Sequence, residues 1–202
     1  MRIVILVEGR TETAFIPLLR NFVTSRLPAG FQAPKFSVNK YDGRIPKGER
    51  LRKVVENEIT SGADAVLALT DVYTGTNDFS NALDAKTKMT TWTNNNPKFF
   101  PHVALHDFEA WLLPYWDEIK KLSGTSRSAP TGSPETMNHN KPPAHFLSEI
   151  FLHGTNGRAY SKPRDAARIL KHQDIAVAAN RCPELKAFLN RILGLVNATP
   201  IP

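Results

Sequence analysis

Three acidic residues stand where an apolar run gives out. Glu8 follows Ile3-Val4-Ile5-Leu6-Val7, Asp71 follows Ala65-Val66-Leu67-Ala68-Leu69 and Thr70, and Glu109 comes three residues after His102-Val103-Ala104-Leu105-His106. Glu12 lies four residues beyond Glu8 and can share a helical face with it. A carboxylate directly after a buried segment is costly unless it is paired or bound to a metal. Gathered carboxylates are hard oxygen donors suited to Mg2+ or Mn2+. Two such ions about 4 Å apart can activate water and stabilise a leaving oxygen. On a basic chain the natural substrate of that chemistry is a phosphodiester. Glu12 alone has an ordinary explanation, since an acid in a first helical turn gains about 0.3–1 kcal/mol from the dipole. Three repeats of apolar run and acid are harder to explain that way.

Two further residues complete the candidate chemistry. His106 can act as ligand, base or orienter, and the plain alternative is a buried histidine satisfied by a carbonyl. His102 and His106 share a strand face, but no third ligand for zinc is evident. Lys162, beside Tyr160 and Arg164, can stabilise developing negative charge on a phosphate, or simply bind backbone. The catalytic candidates are therefore Glu8, His106 and Lys162.

Positioning these groups requires strands whose ends share one rim. Ile3–Val7, mostly β-branched, reads as a strand buried on both faces. Gly9 permits a sharp turn, and Ala14, Phe15, Leu18, Leu19, Phe22 and Val23 recur at helical spacing. Phe36–Tyr41 alternates with period two, as an edge strand would. Leu51, Val54, Val55 and Ile59 mark a basic amphipathic helix closed by Ser61-Gly62. Ala65–Leu69 is a second core strand, and a helix through Ala82, Leu83 and Met89 follows. His102–His106 is a third core strand, with Asp107 expected to cap a helix through Leu113. Strands alternating with helices predict an α/β fold with a mostly parallel sheet, so Glu8, Asp71 and Glu109 should converge. From Leu122 to Pro143 the texture is Gly, Ser, Thr, Pro and Asn, which reads as a loop or lid. Helices over 146–152, 164–170 and 183–195 then form a C-terminal helical extension. The expected organisation is an α/β domain over 1–121, with the loop and helices of 122–202 packing on the same domain.

Composition bounds the partners. The 202 residues are 41% hydrophobic and 22% charged, as in a globular chain. A single cysteine, Cys182, leaves no disulfide framework and no cysteine-based zinc site. No apolar run approaches the roughly 18 residues of a membrane span, and the opening run is too short for a signal-peptide core. A cytoplasmic location is expected. The net charge of +7 favours nucleic acid, through phosphate contacts and counterion release. Arg10, Arg44, Lys47, Arg50, Lys53 and Arg164 are the candidate contacts, the plain alternative being a solvated basic face. No G-x-x-x-x-G-K-[ST] occurs, so this sequence carries no P-loop ATPase, and there is no G-x-S-x-G elbow.

The strand-Glu8-Gly9 unit with Glu12, followed by strand-Asp71, resembles a Toprim domain, the metal-binding fold of topoisomerases, primases and overcoming-lysogenization-defect (OLD) nucleases. More closely, Val7-Glu8-Gly9-Arg10-Thr11-Glu12, Asp71-Val72-Tyr73 with Asp78-Phe79, His106-Asp107-Phe108-Glu109-Ala110 and Arg181-Cys182-Pro183 resemble a bacterial Toprim-like family, domain-of-unknown-function family 4276. The resemblance implies a Toprim-like mostly parallel sheet flanked by helices, dependence on Mg2+ or Mn2+, and cleavage of DNA or RNA. It also implies an effector subunit beside a partner ATPase in bacterial anti-phage defence. Glu8 would be the acid of the first Toprim motif, Glu12 its supplement at the metal, and Asp71 the first acid of the Asp-x-Asp motif. Tyr73 stands where the second aspartate belongs, and Asp78 or Glu109 could compensate. That departure motivates an alternative, a non-catalytic nucleic-acid-binding or regulatory subunit on the same fold.

Overall fold

A computed structural model describes residues 1–72, 78–137, 141–155 and 157–202, apart from the side chain of Arg10. Tyr73, the departure from the Toprim motif, lies outside them, as does the Arg10 side chain.

Four strands form one parallel sheet in the order β2-β1-β3-β4, where β1 is Arg2–Val7, β2 Lys35–Lys40, β3 Ala65–Val72 and β4 Phe99–Leu105. The strand Lys35–Lys40 is at an edge, as its alternating pattern predicts. β1 and β3 pair in register from Ile3 against Ala65 to Val7 against Leu69, and β3 pairs with β4 up to Val72 against Leu105. The pleat divides the apolar runs between two cores. Ile3, Ile5, Val7, Leu67 and Leu69 face helix α1 (Arg10–Arg26) and the C-terminal helices, whereas Val4, Leu6, Val66, Ala68 and Val103 face α2 (Gly48–Thr60) and α3 (Ala82–Trp92). Residues buried on both faces of a strand explain why β1 and β3 carry unbroken apolar runs. Each fully buried side chain contributes about 1.5–3 kcal/mol of transfer free energy.

The order 2-1-3-4 makes the chain reverse direction across the sheet between β1 and β3. At such a switch point the connections leave on opposite faces and open a crevice at the strands' carboxyl ends. The loop after β2 is stitched across that crevice, since Tyr41 N donates to Val7 O at 2.9 Å and Gly43 N to Glu8 O at 3.2 Å. Gly43 has φ 127°, a conformation that suits glycine.

After β4 the chain departs from expectation. His106 adopts φ 70° and leaves the strand, so it does not share a strand face with His102. Phe108–Tyr115 is a 3-10 helix rather than an α-helix, followed by α4 (Trp116–Ser123). Pro114 removes a donor there, and nearly every side chain of the segment is buried, so no 3.6-residue stripe is needed. Asp107 occupies the cap position, but no cap hydrogen bond forms from its side chain; Oδ2 accepts from Ala144 N at 3.1 Å instead.

The Gly-, Pro- and Ser-rich stretch is tied down at several points, among them Trp116 Nε1 donating to Arg127 O at 3.2 Å and Arg181 Nη2 to Gly132 O at 3.1 Å. Pro134–Thr136 is a short 3-10 turn, and Glu135, 2% exposed, accepts from Trp111 Nε1 at 3.0 Å and from the backbone N–H groups of Glu184 and Leu185 at 3.0 and 3.3 Å. It thereby caps α8 (Pro183–Leu195). Helices α5 (Pro143–His153), α6 (Lys162–Leu170) and α7 (Ile175–Ala179) complete the extension, whose buried residues join the core cluster on the α1 face. Among the described residues no helix is long and apolar enough to cross a membrane.

Candidate active site

Three adjacent strands deliver one acid each to the crevice. Glu8 follows β1, Asp71 lies in the last turn of β3's register, and Glu109 sits in the 3-10 helix after β4. With Glu12 from the first turn of α1 and Lys162 from the first turn of α6, they line a single cavity of about 320 Å3, together with Gly9, Thr11, Gly43, Phe108 and Pro163. The structure thus brings Glu8, Asp71 and Glu109 to one cavity, as strands sharing a rim predict, and adds Glu12 and Lys162 to the same lining.

Local structure explains each position. Gly9 holds an extended backbone at the start of α1, and a Cβ there would stand 3.3 Å from Glu12 Oε2, so a side chain would crowd that carboxylate. Glu8 Oε1 accepts from the Thr70 hydroxyl and from Asp71 N, the latter at 3.3 Å, which locks the β1 acid to the neighbouring strand. The left-handed turn at His106 swings the chain out of β4. A non-glycine residue held there is uncommon and marks a constrained junction. The first turn of the 3-10 helix then sets Glu109 inward, where it is 1% exposed. Glu109 accepts from the Tyr160 hydroxyl at 3.5 Å and from Lys162 Nζ at 3.4 Å.

Tyr160 and Lys162 are themselves presented by a buried clasp. Asp165 is fully buried and accepts from Arg158 Nη1 and Nη2 at 2.8 and 2.9 Å, from Ser161 N at 2.8 Å, and from Arg164 Nε and Nη2 at 3.2 and 3.1 Å. Every bond closes the turn between residues 158 and 165, on which Tyr160 and Lys162 sit.

The electrostatics of the cavity are those of uncompensated anions. Burial pushes the Glu8 carboxyl up to about 7, against the pull of Thr70 and Arg44 and with a further push from Glu12. Burial likewise raises Glu109 to about 7, with Lys162 opposing and Asp107 adding to it. Glu12 and Asp107 are raised by burial too. Asp71 is held well above its ordinary range by burial and by repulsion from Glu8, Glu12, Asp107 and Glu109. Burial works against the Lys162 ammonium, yet Glu109, Asp107 and Asp71 more than offset it and keep the group charged.

Several candidates lie elsewhere. Asp78, expected as a metal ligand, does not line the cavity but pairs with Arg44 at 3.3 Å and Lys47 at 2.5 Å. The two cations expected to contact nucleic acid are thus engaged with an acid that the sequence reading sent to the metal. His106 is buried behind the junction and is not a lining residue. His102 packs edge-on against Phe188, with burial pushing its imidazole down to about 3, so it serves the core as a neutral ring. Arg50 and Lys53 are exposed on α2, and Arg164 is bonded to Asp165. The residues that sequence reasoning missed are Thr70, Tyr160 and Asp165. Thr70 and Tyr160 stood beside candidates already chosen, whereas Asp165 was hidden among arginines.

A metal can be tested against this donor set. Four carboxylates on one cavity are suitable hard donors, and burial, with mutual repulsion added, disfavours their charged forms when no cation is bound. Among the described residues, however, no three His, Cys, Asp or Glu side chains already stand close enough to grip one ion. The donors fit by chemistry, and ligation requires their side chains to rotate inward.

The family described as "Domain of unknown function (DUF4276)" matches residues 7–193. Among solved structures, the C-terminal region of the Burkholderia pseudomallei OLD protein is similar with a TM-score of 0.52 and 14% identity, covering 96% of this chain and 98% of that one. The C-terminal region of the Xanthomonas campestris pv. campestris OLD protein gives a TM-score of 0.50 and 13% identity, covering 96% of both chains. At such identities the likeness is one of fold. No curated protein matches the sequence.

Proposed function

This chain belongs to the DUF4276 family, and from that premise we propose that it is a Mg2+- or Mn2+-dependent nuclease of Toprim type, cleaving phosphodiester bonds of DNA or RNA. The observation that carries the reading is the meeting of Glu8, Glu12, Asp71 and Glu109 with Lys162 in one cavity at the sheet's switch point. The OLD-like fold and the net charge of +7 support it.

Glu8, Asp71 and Glu109 hold the metal in this reading, and Glu12 supplements them from α1. The metal, when bound, supplies Lewis-acid stabilisation and a water of lowered pKa. The Thr70 hydroxyl and the Asp71 N–H aim the Glu8 carboxylate, while Tyr160 and Lys162 aim that of Glu109. Lys162, half exposed and charged, reaches from the lip of the cavity to steady the scissile phosphate. Because Glu8 and Glu109 titrate near 7, metal binding displaces protons and strengthens as pH rises past that value.

We propose for the chain an effector role beside a partner ATPase in anti-phage defence, on the Toprim resemblance. The second reading, a non-catalytic nucleic-acid-binding or regulatory subunit, is favoured by Tyr73 at the position of the second motif aspartate. Incubation of the purified protein with plasmid and with RNA in Mg2+ and in Mn2+, beside Glu8→Ala, tests the proposal. Cleavage by the wild type that the variant loses is the expected result. Equal cleavage by both rejects the site. Metal binding without cleavage leaves the regulatory subunit as the better account.

A further inference from the structure

A second cavity lies at the opposite end of α6 from the carboxylates. It has a volume of about 490 Å3 and is lined by Lys121, Arg168, Lys171, His172, Glu118 and Gln173 with Leu122. Helix α6 runs from one cavity to the other, because Lys162 and Pro163 at its start line the first and Arg168 and Lys171 at its end line the second. Nine residues of helix span about 13 Å, on the order of four steps of a stacked nucleic-acid strand at 3.4 Å each. Arg164 and Arg168 are one helical turn apart on the exposed face of α6, opposite the buried Asp165, Ala166, Ile169 and Leu170, and Lys171 follows as the capping residue in extended backbone.

Charge at this end exceeds what the fold consumes. Lys121 pairs with Glu118 at 3.4 Å, and Arg168 reaches the shared Asp165 only at 4.0 Å. Lys171 makes no ion pair among the described residues. Cations in the last turn of a helix are favoured by its dipole, which accounts for Lys121 and Arg168 singly. Lys171, which caps α6, gains from the same dipole, but the dipole does not account for three cations and His172 gathered on one cavity.

We infer that the cavity of Lys121, Arg168, Lys171 and His172 binds backbone phosphates of a nucleic-acid strand whose neighbouring segment enters the carboxylate cavity, with the outer face of α6 as the track between them. This rests on the nuclease reading and deepens it, giving the substrate a direction across the surface. The ligand chemistry is the phosphodiester; the bases are not read.

The test measures binding rather than cleavage. Fluorescence anisotropy in EDTA compares the full chain with the double variant Lys121→Gln/Lys171→Gln, using single strands of about 4 and about 16 nucleotides over a range of salt. The wild type should bind the longer strand more tightly. The variant should weaken that binding about tenfold and flatten the log–log salt slope by about 1.4, since each phosphate contact on a single strand contributes about 0.7. Thermal melting beside the wild type shows that the variant is folded. Equal affinity and equal salt slope for the two proteins overturn the track and leave the nuclease reading standing. A wild type that binds neither strand overturns both. Competition by a nucleoside monophosphate that depends on Lys121 and Lys171, with the long strand indifferent to them, overturns the track in favour of a small-phosphate site.

Discussion

Two groups of buried carboxylates in this molecule meet opposite treatment. Asp165 is fully buried, and burial works against its charge, yet Arg158, Arg164 and the Ser161 N–H bring its pKa down to about 2. Glu8, Asp71 and Glu109 are enclosed on the other side of the same turn, and their pKa values go up. Arg158 and Arg164 bond Asp165, with Arg168 at 4.0 Å, whereas Glu109 has only the half-exposed Lys162 ammonium and Glu8 feels the charge of Arg44. The fold spends its donors on a structural acid and leaves the rim acids repelling one another, and on the proposed reading an external cation supplies what they lack.

The largest expected effect is on the rim's chemistry. Glu109→Gln should lower cleavage by about 100-fold or more in Mn2+ while leaving the metal-free protein folded, and more stable at pH 8 by about 1–3 kcal/mol. Single-turnover cleavage and chemical unfolding check the two halves. Asp165→Ala should do the reverse to stability, costing about 3 kcal/mol by leaving Arg158 and Arg164 unmatched. If Glu109→Gln destabilised the metal-free protein as Asp165→Ala does, the two groups would not differ in kind.

The pH dependence separates them next. Glu8 and Glu109 titrate near 7 when folded and near 4.5 when unfolded, so the folded state holds extra protons between those values. Stability of the metal-free protein should therefore be greatest below about pH 4.5, as far as these groups decide it, and fall as pH rises through 7. Asp165 acts in the other direction, stabilising above its unfolded value of 3.8 and losing that contribution as pH falls through about 2. Unfolding by denaturant at pH 5, 6, 7 and 8 should show the decline, and Mn2+ should reverse it at pH 8 more than at pH 5. A smaller effect is expected of Tyr160→Phe, which removes one donor from Glu109 and should weaken Mn2+ binding only a few-fold.

The sheet could be read from the chain because its signals are local. Ile3–Val7 and Ala65–Leu69 are apolar without interruption, and the acids that end them fall at one rim in any parallel arrangement. Glu8, Asp71 and Glu109 needed no more than that. What could not be read were pairings between distant residues. Asp78 looked like a spare ligand until Arg44 and Lys47 reached it from the β2–α2 loop. Arg158 and Asp165, seven residues apart across a turn, carry no local sign that they bond. Glu135 sat in a stretch with loop composition, and nothing local revealed that Trp111 and the start of α8 would bond it. The 3-10 helix after β4 escaped because buried side chains on all sides erase the periodicity that separates helix types.

Isothermal titration of Mn2+ into the wild type and into Glu109→Gln at pH 8 tests the central claim most directly, since it asks only whether the rim is a cation site. Saturable binding with proton release in the wild type, lost in the variant, is the predicted result. Absence of binding at millimolar Mn2+, or equal binding by both proteins, would contradict it.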